Sequence, residues 1–317
     1  MMTLRLIVPA DRTALVTRQL ESDVRITNLV VLPGTAIRPP GDVVSCEVTR
    51  EAASDVLGWL RAEGIYDEGS VVLTEVASAP SKNARLTEAA APGSPDDAVI
   101  WDAVLDRAYG EVQGSWSFYA FLTLATAIAA VAVVTDSSIL VVGAMVVGPE
   151  FAAVAALALG LVAGRFDLIG RAARLLVQGF AFAIAVTVVL ALLARAAGWI
   201  ELADVTGDRP LTGFIWRPDK WSAVVAVLAG CAGVLSQTAG RSNALVGVFI
   251  SVTTVPAAGD FALSLALGSV EQLAGSAAQL GINLLGITVA GVLTMLAQRG
   301  LWRLIRPPRR TGADAAD

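Results

Sequence analysis

Residues Ser138–Gly164 read SILVVGAMVVGPEFAAVAALALGLVAG. The run is long and apolar enough to enter a bilayer, where about 20 such residues suffice to cross. Near its middle stands Gly148-Pro149-Glu150, a helix breaker followed by a carboxylate. Proline removes a backbone donor and clashes with the preceding turn. A charged group at bilayer depth costs about 2.5 kcal/mol or more. Spanning a membrane requires neither, so the interruption reads as a site or as packing around one.

Composition agrees with a membrane location. Of 317 residues, 55% are hydrophobic and 16% charged, against about 45–50% and about 25% in soluble domains. The acidic balance, net −5, argues against nucleic acid as a partner. The chain has no histidine, which removes His-ligated metals and every Ser/His or Cys/His catalytic arrangement. Cys46 lies in the polar half and Cys231 in an apolar helix, so no disulfide framework is expected. No metal, cofactor or enzymatic motif is expected either. Ala258-Gly259-Asp260-Phe261 resembles the Gly-x-Gly-Asp-Phe site of intramembrane aspartyl proteases. Its first glycine is replaced by Ala257, and no Tyr-Asp pair stands in an earlier apolar helix. The N-terminus is too short and too soon interrupted for a signal peptide, so the first span is expected to direct its own insertion.

Upstream, residues 1–76 alternate short β-type runs with amphipathic stretches. Leu4–Pro9, Val24–Leu32, Asp42–Thr49 and Ser70–Val76 read as strands, with a turn at Pro33-Gly34. Helices are expected after Asp11 and over Glu51–Glu63, closed by Gly64. The order βαββαβ predicts a ferredoxin-like α+β domain for assembly or regulation. Residues 77–97 read as an Ala/Ser/Pro-rich linker. Residues 98–114 read as a juxtamembrane amphipathic helix.

Residues 115–306 contain six apolar stretches, followed by a basic, flexible tail over 307–317. These are Trp116–Val134, Ser138–Gly164, Arg171–Ala194, Ser222–Thr238, Asn243–Gly268 and Ala274–Leu304. The fifth, like the second, is interrupted, here at Val255-Pro256-Ala257-Ala258-Gly259-Asp260. Both breaks lead through acid-Phe-Ala to Leu-Ala-Leu-Gly, at Gly160 and Gly268. Matching breaks in matching places predict an inverted three-helix repeat with discontinuous helices, an architecture of secondary transporters. Alternatively each break is a tight turn and each segment a re-entrant pair.

With a cytoplasmic N-terminus, six spans place Arg165, Arg171, Arg174, Arg241 and the C-terminal arginines inside. The positive-inside rule is then met. Both termini are therefore expected on the cytoplasmic side of a bacterial inner membrane. The expected partners are the lipid bilayer, further copies of the chain in a homo-oligomer, and a small-molecule or ion substrate.

Glu150 and Asp260 are the leading site residues, able to bind a cation or exchange a proton if both face one cavity. The plainer reading is that each caps the half-helix after it. Gly148, Pro149, Pro256 and Gly259 shape the breaks. Gln178, Gln237, Thr253, Thr254, Gln279 and Asn283 are secondary polar candidates, which could equally tie helices together. Gln178 and Asn283 occupy roughly equivalent places in the third and sixth stretches. The leading expectation is a transporter-like or channel-like oligomer. The alternative is a non-transporting receptor or scaffold whose soluble domain senses a ligand or partner.

Ser137-Ser138, Val142-Gly143-Ala144-Met145 and Gly148-Pro149, with the Trp101-Asp102-Ala103-Val104 helix upstream, resemble a family of hydrophobic membrane proteins, domain-of-unknown-function family 389. The resemblance runs from about Trp101 to Leu304. Many relatives have Pro-Leu where this chain has Pro149-Glu150, so Glu150 is not carried over from the family. The resemblance implies a multi-pass membrane protein and supplies no catalytic residues.

Overall fold

The computed structural model describes residues 1–91, 93–94, 98–238 and 254–305. They divide into two compact units, Met1–Val104 with residues 299–305, and Leu105–Gln298.

The first unit is built on an antiparallel four-stranded sheet. Its elements are β1 (Met2–Val8), α1 (Thr13–Glu21), β2 (Ile26–Ile37), β3 (Pro40–Val48), α2 (Arg50–Ala62), α3 (Ile65–Glu68) and β4 (Ser70–Glu75). The strand order is β2-β3-β1-β4. Alternation along β1 and β3 sends Leu4, Leu6, Val8, Val44, Cys46 and Val48 to one face. There they meet Val16 and Leu20 of α1 and Ala52, Val56 and Leu60 of α2. Gly64 ends α2 with φ of +75°, a conformation that glycine adopts without steric cost.

Two local expectations differ. Pro33-Gly34 does not end a strand. The pairing of β2 with β3 slips between Leu32 and Ala36, and the Gly34 amide donates to the Asp42 carboxylate at 2.8 Å. A proline without a ladder donor is accommodated at such a bulge. The stretch read as a linker holds a helix, α4 (Lys82–Ala90), whose N-cap Ser81 accepts from the Ala84 amide. The Ala/Ser composition that suggests a linker suits a capped short helix equally well.

In the second unit, α5 (Trp101–Glu111, shared across the boundary) leads to α6 (Trp116–Val134), α7 (Ser138–Val147), α8 (Glu150–Ala163) and α9 (Phe166–Ala196). Then come α10 (Leu202–Thr206), α11 (Lys220–Thr238), α12 (Thr254–Leu267) and α13 (Val270–Ile305). Four of these, α6, α9, α11 and α13, are long and apolar enough to cross a membrane, and counting the bent pair α7–α8 as one crossing makes five. Ser137 caps α7 by accepting from the Leu140 amide. The chain bends by 57° between α7 and α8, where Gly148 is extended and Pro149 leads into α8.

The second interruption differs from expectation. Val255–Asp260 are helical throughout, within α12. Pro256 is the third described residue of that helix. Residues 239–253, which include the whole 243–253 half of that stretch, lie outside the described residues.

Element bounds repeat along the chain. The first residues of α6 and α11, Trp116 and Lys220, and the last residues of α8 and α12, Ala163 and Leu267, are displaced by the 104 positions that separate Glu150 from Thr254. So are the first residues of α9 and α13, Phe166 and Val270. The closures also match. Gly164 and Gly268 both have positive φ, and the amides after them bond back to the Gly160 and Ser264 carbonyls. In this register Glu150 corresponds to Thr254, not Asp260. Leu-Ala-Leu-Gly falls inside α8 in one half and on the closing turn of α12 in the other.

Candidate functional site

α8 begins at the bend, and Glu150, its first residue, is only 2% exposed. A carboxylate in the first helical turn is favoured by the unbonded amides there. The Thr254 hydroxyl donates to Glu150 Oε1 at 2.6 Å, so the described starts of α8 and α12 touch through buried polar groups. Gly148 and Pro149 are half-buried beside them. Thr253 lies outside the described residues.

Asp260 sits well inside α12 and does not cap it. It is fully buried, and its Oδ1 accepts from Arg209 Nη1 at 2.7 Å, while Ser276 Oγ donates to Oδ2. Arg209 comes from the segment between α10 and α11, and its side chain is itself only 4% exposed. Glu150 and Asp260 therefore have separate partners. The rise from Thr254 to Asp260 along the helix is about 9 Å at 1.5 Å per residue.

Ser276 opens a polar face on α13. Gln272, Ser276, Gln279 and Asn283 recur at helical spacing and are 4%, 0%, 1% and 0% exposed. Gln272 Nε2 donates to the Val205 carbonyl at 2.6 Å, and Gln279 Nε2 to Asn283 Oδ1 at 3.5 Å. Among the described residues, Gln272 Oε1, Gln279 Oε1, Asn283 Nδ2 and Ser264 Oγ have no hydrogen-bond partner. Leaving such a group unpaired in the interior costs about 1–3 kcal/mol.

The other candidates separate. Gln178 is exposed, one turn beyond the exposed Arg174 and in line with Arg171. It continues a polar outer face of α9, whereas Asn283 faces inward; the residue of α9 that corresponds to Asn283 is Gly179. Gly259 is a packing residue. A Cβ there would lie 2.7 Å from Ala129 Cβ and 2.8 Å from the Ala130 amide nitrogen. Pro256 is buried within α12, and Gln237 is half-buried.

Sequence reasoning missed Arg209 and Ser276. Arg209 stands in Asp208-Arg209-Pro210, where it counts as one more charge in a polar loop, 51 positions from its partner. A signal existed: a buried aspartate in an apolar helix calls for a cation, and the chain offers few near that end of α12.

These elements define a helical protein with apolar helices of membrane-crossing length and buried carboxylates among them. Residues 145–289 match the model of a family described as "Domain of unknown function (DUF389)". The resemblance drawn from the Ser137–Pro149 motif is met over that span, which starts at Met145. The uncharacterized protein MJ0678 of Methanocaldococcus jannaschii is 26% identical over 176 residues, 56% of this chain and 52% of that protein. The chain thus spans about half the length of this curated relative. No solved structure matches.

Proposed function

We propose that this protein is a transporter-like or channel-like oligomer for a small solute or ion in the bacterial inner membrane, with both termini cytoplasmic. Its N-terminal unit is a ferredoxin-like assembly or regulatory domain. The β1-α1-β2-β3-α2-β4 connectivity with spatial order β2-β3-β1-β4 supports that part. The membrane part is an inverted pair of three-span sets, six crossings in all. The bent pair α7–α8 forms one crossing, and the apolar run ending in α12 forms another. A set with three crossings starts its copy from the opposite side, which makes the repeat inverted.

The observation that carries the reading is the Glu150–Thr254 hydrogen bond. Two positions related by the 104-residue spacing touch each other, as positions on the axis of an inverted repeat would, and this supports a site at the described starts of α8 and α12. Secondary transporters place their substrate sites at the interface of such repeats. A carboxylate and a hydroxyl at such a point suit a cation, a proton or a zwitterion better than a plain anion.

The test is solute and ion flux in proteoliposomes, comparing the wild type with Glu150→Gln and Thr254→Val. Flux that falls about tenfold or more in both variants, the effect of one lost charge-assisted hydrogen bond, with assembly unchanged, supports the site. Flux that survives both substitutions removes Glu150 and Thr254 from it. Absence of any flux, with ligand binding at the N-terminal domain, favours the receptor or scaffold reading.

A further inference from the structure

The segment between α9 and α11 is tied down more firmly than a surface loop needs to be. Ile200, Val205 and Ile215 are buried in one apolar cluster with Val133 of α6, Met145 of α7, and Leu263 and Leu267 of α12. The Asp136 carboxylate, at the turn after α6, accepts from the amides of Leu211 and Thr212 and from the Thr212 hydroxyl at 2.8–3.3 Å. Gln272 of α13 holds the Val205 carbonyl. At Trp216 the backbone is pressed onto α13 so closely that only Gly275 fits beneath it: a Cβ there would meet the Trp216 carbonyl. The segment itself encloses a polar cavity of about 250 Å³, lined by Thr206, Arg209, Gly213, Trp216 and Arg217.

Arg209 reaches deepest, to Asp260. The corresponding positions of the other half show what this pair is for. Asp260 and Ser276 correspond to Ala156 and Ala172, both buried. The same helix pairing, α8 on α9, therefore closes with two alanines. Packing α12 on α13 does not require a carboxylate and a hydroxyl, and a charge pair taken out of water repays little or nothing of its desolvation. The polar pair has a purpose only in relation to Arg209.

We propose that residues 199–217 form a lid over one end of the helical unit, latched by Arg209 on Asp260. Its release exposes the buried polar face of α12 and α13 (Ser264, Ser276, Gln279) to water. The lid is hinged at its ends, where Gly198 has φ of +70° and Lys220 starts α11. Asp136 with Thr212 is the second latch. The lid closes the way from that end toward Glu150 and Thr254, so its role in flux rests on the reading above, but its opening can be measured without any flux.

The reporter is Ser264→Cys, one turn from Asp260 on the same face and fully buried, in a Cys46→Ser/Cys231→Ser background. The full chain in lipid nanodiscs is treated with a charged maleimide that does not enter lipid. With the latches intact the reporter is expected to label slowly. With Arg209→Ala, or with Asp136→Asn/Thr212→Val, which leaves no unpaired buried charge, labelling is expected to speed up about tenfold or more. Arg209→Lys, which keeps the cation, is expected to stay slow. Equal labelling with and without the latches overturns the lid, as does fast labelling with both intact. Absence of any flux from the wild type, with labelling that still follows the latches, would count against the Glu150–Thr254 site and not against the lid.

Discussion

The two halves of the second unit share a spacing of elements among the described residues and differ in chemistry. The starts of α6 and α9 and the end of α8 recur as the starts of α11 and α13 and the end of α12, with the same glycine closures. Yet where the first set has Ala155, Ala156 and Ala172, the second has Gly259, Asp260 and Ser276. Backbone geometry is set by apolar spacing and by a few glycines, which both sets keep. Charge and hydrogen bonding answer to what lies alongside, and only the second set has Arg209 beside it. A repeat can therefore keep its shape while one half takes on polar work.

The largest effect is expected from breaking the charge pair on one side only. Arg209→Met leaves Asp260 buried without a cation, at a cost of about 3–5 kcal/mol, read as a lower unfolding temperature in detergent. The triple change Arg209→Met/Asp260→Ala/Ser276→Ala gives the second set the first set's residues. It is expected to recover most of that loss, because no charge is left without a partner. A triple variant as unstable as Arg209→Met would show that the two sets are not interchangeable at these positions.

A smaller effect sharpens the same comparison. Gly259→Ala drives a Cβ against the backbone of α6 and is expected to cost about 1–3 kcal/mol. Ala155→Gly, its counterpart, is expected to cost about 1 kcal/mol, through helix propensity and a lost methyl. Similar costs for the two would mean that α8 and α12 approach their neighbours alike.

The smallest expected effect lies in the first unit. Burial opposes the charge on Asp23, but the Arg25 guanidinium and amide outweigh it and hold the carboxyl below its ordinary 3.8. Because the folded value is the lower one, the stabilisation is complete above 3.8 and fades as pH falls through the folded value. Asp23→Asn is expected to cost under about 1 kcal/mol at neutral pH, the scale of a partly exposed pair, and nothing in strong acid. Hydrogen exchange of the β1 and β3 amides is the measurement, and the second unit should not respond.

Much of this architecture was legible in the residues. Leu4, Leu6 and Val8 alternate as a strand with one buried face must, and Trp116–Val134 carries no charge. Pro149 bends the chain where its missing amide predicts. Pro256 looks the same in sequence, yet the helix described from Thr254 to Leu267 runs on through it. Gln178 reads like Asn283 but lies on the opposite kind of face; one residue of register turns a helical side chain by about 100°.

The sequence by itself determined the membrane-length apolar helices, the order of strands and helices in the first unit, and the bend at Gly148-Pro149. These follow from composition and periodicity, which act over a few residues. Only the tertiary structure decided that Glu150 meets Thr254, that Arg209 reaches Asp260, and which position of one set answers to which of the other. Those pairings join residues 104 and 51 positions apart. A buried charge demands a partner, and nothing in its local sequence says where along the chain that partner stands.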